Sequence, residues 1–391
     1  MQQQSLMQTY GRLPVRFVRG EGAWLEDEAG ERYLDGLSGI AVCGLGHAHP
    51  AVAAAVAEQA RTLVHTSNLY HLPVQEKLAD RLCAISGMDR VFFCNSGAEA
   101  NEAAIKLARR HGHARGIDEP RILVMDNAFH GRTMATLSAT GNVKAQQGFE
   151  PLLPGFVRVP FNDATAAGEA MAADPSIVAV LVEPVQGEGG IRVPEAHYLE
   201  QLRFLCDRYQ ALLLCDEVQT GIGRTGQWFA FQHTRAMPDV LTSAKGLGNG
   251  VPIGACLARG TAADVLQPGS HGSTFGGNPL ASAAALAVLD TVQEQQLAQR
   301  AAQLGEHLLQ RFHDELADLN GVHEIRGQGL MIGIELDRPC AELVAEALAD
   351  HLLINVTAGQ TIRLLPPLIM NDAEADQLIR QVVRLVRRFL A

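Results

Sequence analysis

The sequence has no cysteine pair at CxxC spacing: its seven cysteines, Cys43, Cys83, Cys94, Cys206, Cys215, Cys256 and Cys340, are odd in number and widely scattered. They read as reduced core residues rather than a disulfide framework or a thiolate metal cluster. No HExxH occurs, and His47/His49 and His111/His113 lack the i, i+4 spacing that sets two ligands on one helix face. A metal site is not expected. No apolar run approaches bilayer length, and the opening MQQQSLMQTYGRLP lacks the basic start and apolar core of a signal peptide. The reading is no membrane and a cytoplasmic location. Positive charge is scarce too: 32 Lys and Arg face 43 Asp and Glu, a net charge of -11. Such a surface repels a phosphate backbone, so nucleic acid is not an expected partner and an anionic ligand needs local arginines.

What remains is an ordinary globular composition, 47% apolar and 19% charged over 391 residues. That length suggests one large and one smaller lobe with room for a buried site. Between about residues 51 and 290, the apolar runs VFFCN, RILVMD, IVAVLVE, ALLLCDE, DVLTSA and IGACLA alternate with segments of helical period. This predicts an α/β domain whose mainly parallel sheet carries helices on both faces. Ala100, Ala103, Ala104, Leu107 and Ala108 follow helical spacing, with Glu99 and Glu102 early and Arg109 and Arg110 late, as the helix dipole favours. Residues 291–391 change to a long helix near 296–318, a hairpin in VHEIRGQGLMIGIEL and a last helix from Asp372, a smaller α+β domain. Residues 1–50 read as short strands and turns packing on that smaller domain.

Three features fall at carboxyl ends of strands, where doubly wound sheets bind ligands. The run VFFCN enters Ser96-Gly97-Ala98 and then a helix, so free N–H groups of a first turn could hold a phosphate, or form a plain strand-to-helix turn. Ala211–Cys215 ends in Asp216-Glu217, a carboxylate whose burial calls for a pyridinium nitrogen, an arginine, a metal or a helix N-terminus. Lys245 follows DVLTSA and opens Gly246–Gly250. A lysine dehydrated there loses its proton and can form an imine with an aldehyde, while one in solvent is an ordinary surface lysine. Gly221-Ile-Gly223-Arg-Thr-Gly226 matches GxGxxG, but an aromatic, irregular stretch follows it instead of a helix. The dinucleotide reading therefore fails on context.

With these residues in view, the chain resembles the class III aminotransferases. The resemblance rests on GLGHAHP (44–50), FCNSGAEANEAAIKLAR (93–109), AFHGRT (128–133), VEPVQGEGG (182–190), LLLCDEVQTGIGRTG (212–226), SAKGLGNGVPIG (243–254) and STFGGNPL (273–280), and covers nearly the whole chain. It implies fold type I, aspartate-aminotransferase-like, with pyridoxal 5'-phosphate as cofactor. By that resemblance Lys245 would hold the cofactor aldehyde and Asp216 would keep the ring nitrogen protonated. Ser96, Gly97 and Ala98 would bind the phosphate, Phe129 and Val218 would cover the two ring faces, and Gln219, with Glu217 near it, would lie by the ring hydroxyl. Thr274 would reach the phosphate in a neighbouring subunit, implying a homodimer with sites at its interface.

HTSNLYH (65–71) and LLINVTAGQTIRLLPPL (352–368) point within the family to members that take the terminal amine of acetylornithine and pass it to 2-oxoglutarate, giving glutamate. Ornithine, succinylornithine and 4-aminobutyrate are the competing donors. Arg132 would take the distal carboxylate and Arg363 the carboxylate beside the reacting carbon, as planar forks. Glu188 would pair with Arg363 when no carboxylate occupies it, or form a fixed structural pair. Ser273 and Tyr70 are candidates for the acetylated end.

Overall fold

The computed structural model describes residues 5–391, so the first four residues of the expected segment 1–50 lie outside it. Seven strands form the central sheet in the order Arg90–Cys94, Gly254–Ala258, Val240–Ser243, Leu212–Asp216, Ile177–Val182, Arg121–Met125 and Phe156–Val159. Gly254–Ala258 runs antiparallel to both neighbours, and the other pairings are parallel. The sequence pattern does not single out Phe156–Val159. It is a four-residue edge strand bounded by Gly155 and Pro160, with Arg158 breaking its apolar run.

Both faces of this sheet are covered, so its strands are apolar at successive positions. Leu212 and Leu214 pack with Ala103, Ala104 and Leu107 of the helix Gly97–Ala114. Leu213 and Cys215 face the opposite core with Leu199, Leu202 and Cys206 of the helix Tyr198–Tyr209. Truncating a fully buried leucine such as Leu213 to alanine costs about 2–5 kcal/mol. The parallel strands therefore end together at one edge, rigidly placed.

Two four-stranded sheets complete the molecule. Phe17–Glu21, Trp24–Asp27 and Arg32–Asp35 form a meander whose last strand pairs in parallel with Leu352–Leu353. Asp27 sets the hairpin turn, its carboxylate accepting from the Ala29 and Glu31 N–H groups. Residues near both ends of the chain thus share a sheet. Val322–Gln328, Met331–Leu336, Thr361–Leu364 and Asn355–Thr357 form the other, entirely antiparallel. The helices Leu297–Leu316 and Asp372–Leu390 pack on one another, the second opened by a capping box between Asn371 and Glu374.

The glycine-rich stretch 221–226 is a packed loop between these parts. Gly226 meets Ala302, and Arg224 is buried, donating to the Pro366 carbonyl at 2.5 Å and the Leu330 carbonyl at 3.3 Å. Its glycines serve close approach of backbone to backbone. Among the described residues, no helix is long and apolar enough to cross a membrane. All seven cysteines are unpaired.

Candidate active site

The strand ends open into a cavity of about 400 Å³. Its floor is Asp216, buried at the end of Leu212–Asp216. Oδ2 accepts from Asn101 Nδ2 at 2.7 Å and lies 2.8 Å from His130 Nδ1, while Oδ1 accepts from the Val218 N–H at 3.1 Å and Thr242 Oγ1 at 3.4 Å. Thr242 also donates to Asn101 Oδ1 at 2.8 Å. This network fixes the orientation of the carboxylate. His130 Nε2 is buried and has no hydrogen-bond partner among the described residues.

The turn Ser96-Gly97-Ala98 lies at the same edge. Ser96 caps the helix, its hydroxyl accepting from the Glu99 N–H at 3.2 Å. A β-carbon on Gly97 would stand 2.6 Å from Val218 Cγ1, so only glycine fits against that side chain. The first N–H groups of an 18-residue helix therefore face the cavity with the positive end of its dipole.

Lys245 follows the strand Val240–Ser243 after one residue, Ala244, and borders the same cavity. Its φ of 42° is a left-handed conformation that costs a non-glycine residue about 1–3 kcal/mol and persists where surroundings enforce it. Burial of the amine, with Arg363 nearby, lowers its pKa from the ordinary lysine value against the opposing pull of Glu188, Asp216 and Glu183. A lysine so placed frees its amine for nucleophilic attack at a lower pH than an exposed lysine does.

At one wall Glu188 Oε1 lies 2.5 Å from Arg363 Nη1, and Arg363 is fully buried. Asn355 Oδ1 accepts from Arg363 Nε at 3.0 Å, and Nη2 has no partner among the described residues. Burial works against ionising Glu188, yet the guanidinium beside it holds the carboxyl below its ordinary pKa. Arg132 is exposed, its guanidinium 5.5 Å from the centroid of the Phe129 ring.

Of the residues singled out by sequence, Ser96, Gly97, Ala98, Phe129, Arg132, Glu188, Asp216, Val218, Gln219 and Lys245 line this cavity together, and Arg363 reaches it through Glu188. Glu217 does not. Its side chain is fully buried on the other side of the strand end, accepting from the Ala230 and Phe231 N–H groups at 2.8 Å and from the Thr220 hydroxyl. Burial raises its pKa to about 7. The alternation of side chains along a strand explains why Asp216 and Glu217 face apart.

Tyr70 and Thr274 are exposed and outside the cavity. Ser273 Oγ is engaged by Asn95 Nδ2 at 3.2 Å and the Gly276 N–H at 3.0 Å. The sequence reading passed over Asn101, His130, Thr242 and Glu183. Glu183 carried the same signal as Asp216, an acid closing a fully apolar strand, here Ile177–Val182.

The family model "Aminotransferase class-III" matches residues 6–386. The acetylornithine aminotransferase of Nitrosomonas europaea is 58% identical over 385 residues, 98% of either chain. Among solved structures, the ornithine aminotransferase of Toxoplasma gondii superposes with a TM-score of 0.95 at 36% identity, covering 99% of this chain and 93% of that one. The acetylornithine aminotransferase of Elizabethkingia anophelis gives a TM-score of 0.87 at 35% identity, with coverage of 98% and 96%.

Proposed function

The chain belongs to the class III aminotransferases, and on that premise we propose that it moves the terminal amino group of N2-acetyl-L-ornithine to 2-oxoglutarate. The products are N-acetyl-L-glutamate 5-semialdehyde and L-glutamate, a step of arginine biosynthesis. The observation that carries the terminal-amine part of this reading is the Glu188–Arg363 pair in the wall of the Lys245 cavity. A terminal-amine donor brings no carboxylate next to its reacting carbon, whereas glutamate does. Arg363 must be neutralised for the first and free for the second, and an acid at 2.5 Å can do both by closing and opening. The 58% identity to an acetylornithine aminotransferase supports the choice of donor.

The cofactor is pyridoxal 5'-phosphate, and the cavity fits it. Gly97 and Ala98 would hold the phosphate, Phe129 and Val218 would face the two sides of the ring, Asp216 its nitrogen and Lys245 its aldehyde carbon. Bound there, it supplies an electron sink for the pair left when a carbon loses its proton. Lys245, with its pKa lowered, takes the proton from the amine-bearing carbon of the donor, and in the separate reverse half-reaction it delivers a proton to the keto carbon of the acceptor. Asp216, held by Asn101 and His130, keeps negative charge at the floor without rearranging. Arg132 takes the distal carboxylate of either substrate.

We read 51–290 as the cofactor-binding domain and 291–391 as the small domain, with 1–50 joined to the latter through the pairing of Leu34 with Leu352. The enzyme works as a cytoplasmic homodimer. Seven unpaired cysteines suit a reducing compartment. Asn68 Nδ2 ties residues 65–70 to the Ser273 and Gly276 carbonyls, each at 3.0 Å, leaving Leu69 84%, Tyr70 67% and Phe275 61% exposed beside Thr274. A second copy covering that surface would bring Thr274 to its neighbour's phosphate.

The test is a donor panel with 2-oxoglutarate, reading glutamate formed. Acetylornithine should give the highest kcat/KM among acetylornithine, succinylornithine, ornithine and 4-aminobutyrate, and a higher value for any other overturns the donor. Glu188→Gln should shift the ratio of activities toward acetylornithine and glutamate. An unchanged ratio reduces the pair to a fixed structural contact.

A further inference from the structure

Glu183 stands at the end of Ile177–Val182, lines the cavity and is 6% exposed. Its two oxygens serve two different segments. Oε1 accepts from the Phe129 N–H at 2.8 Å, and Oε2 accepts from the Gly187 N–H at 3.1 Å. Phe129 is the residue against the ring, and Gly187 immediately precedes Glu188.

The loop from Gly187 to Ile191 has little freedom apart from this anchor. A β-carbon on Gly187 would lie 2.2 Å from Gln219 Oε1, so the loop packs directly on a cavity side chain. The Thr357 hydroxyl donates to the Glu188 carbonyl. Arg326, itself buried, donates to the Gly190 carbonyl at 2.5 Å and the Ile191 carbonyl at 2.8 Å. The far end of the loop is therefore clamped to the C-terminal sheet, which also carries Arg363, and the near end to Glu183 on the central sheet.

We propose that Glu183 is a positioning residue that couples the Phe129 loop to the Glu188 loop, so that the seat of the ring and the gate on Arg363 respond to one another. Two N–H donors from separate segments need two acceptors at fixed separation, and a carboxylate of this length supplies both. A glutamine offers one acceptor and one NH2, so one of the two N–H groups would face a donor. Burying an acid here is costly, since desolvation raises its pKa to about 7, and a side chain kept only to fill space would not need to be one.

This inference rests on the transaminase reading for its meaning, and its test is separable. Amide hydrogen exchange of the full-length enzyme, with and without pyridoxal phosphate, should show Glu188→Gln speeding exchange at Phe129 as well as at its own loop. In the Glu183→Gln background, Glu188→Gln should have no further effect at Phe129. Cofactor affinity, followed by absorbance, should fall about tenfold in Glu183→Gln, the size of a lost hydrogen bond to a charged group. Phe129→Leu and Glu188→Gln should be non-additive by several-fold with Glu183 present and additive in the Glu183→Gln background.

Additivity in the native background overturns the coupling, as does Phe129 exchange unmoved by Glu188→Gln. That second measurement stands even if Glu183→Gln does not fold. An enzyme that forms no glutamate from 2-oxoglutarate would instead sink the transaminase reading and leave the exchange result intact.

Discussion

At the floor of the cavity both oxygens of Asp216 are held by groups of the same chain, and Asn101, His130 and Thr242 around it are buried. At the rim Arg132, Tyr70 and Thr274 end in solvent. The floor is built from strand ends and the first turns of long helices, so its geometry is inherited from a rigid core. The rim is built from connections, and on the proposed reading a second copy would complete it. Chemistry common to many amine donors belongs on the floor, and discrimination among donors belongs at the rim.

Replacing the reactive floor group should give the largest effect. Lys245→Ala should lower kcat by about 10³-fold or more, since on the proposed reading it removes both the proton carrier and the covalent anchor of the cofactor. The cofactor-free variant should melt no lower than the native cofactor-free enzyme, because a buried amine with a lowered pKa is a cost to the fold. A reducible imine that survives in Lys245→Ala would remove the lysine from its role.

Asp216→Asn comes next, with about a 10²-fold loss in kcat. Asparagine offers one acceptor where Asn101, His130, Thr242 and Val218 converge, so the melt of this variant should also fall, by about 1–3 kcal/mol. If activity survives while stability drops, the floor is a structural network and the contrast with the rim fails.

Much of the floor could be read from sequence because its signals are local. Asp216 and Lys245 close apolar runs, Ser96-Gly97-Ala98 opens a well-patterned helix, and each lies in line with the sheet that the same runs predict. Asn101 and His130 could not be read that way. They meet Asp216 across 115 and 86 residues, and nothing beside them announces burial. Glu217 shows the opposite failure, since the family resemblance put it with the cofactor residues while strand alternation turned it away. The pairing of residues near the two chain ends through Leu34 and Leu352 depends on the closed fold, for Leu352–Leu353 is a two-residue strand.

Thr274→Ala probes the rim and should act more weakly, raising the dissociation constant of pyridoxal phosphate about tenfold through one lost hydroxyl. Its thermal stability without cofactor should match the native enzyme, because Thr274 is exposed. The effect should grow on dilution, as subunits separate. An effect of the same size on a monomeric fraction would mean that the rim is complete in one chain.

Between floor and rim lies the turn from Leu37 to Val42, and it should respond to pH with the smallest effect. Ser38, Gly39, Ile40 and Ala41 all have positive φ, and Val42 lines the cavity. Asp35 pins the turn, Oδ1 accepting from the Leu37 and Ser38 N–H groups at 2.9 and 2.8 Å and Oδ2 lying 2.8 Å from His47 Nε2. Burial opposes charging His47, but the Asp35 carboxylate outweighs it and lifts the pKa to about 9. A histidine raised from about 6.5 in the unfolded chain stabilises fully below that value, and the contribution fades as pH rises toward 9. Unfolding free energies from urea melts of the native enzyme and His47→Asn should therefore differ by about 1–2 kcal/mol at pH 6 and converge above pH 9. A gap that stays constant across this range would mean that His47 holds the turn as a neutral ring, so that the strain of its three non-glycine positive-φ residues, Ser38, Ile40 and Ala41, is held without the ion pair.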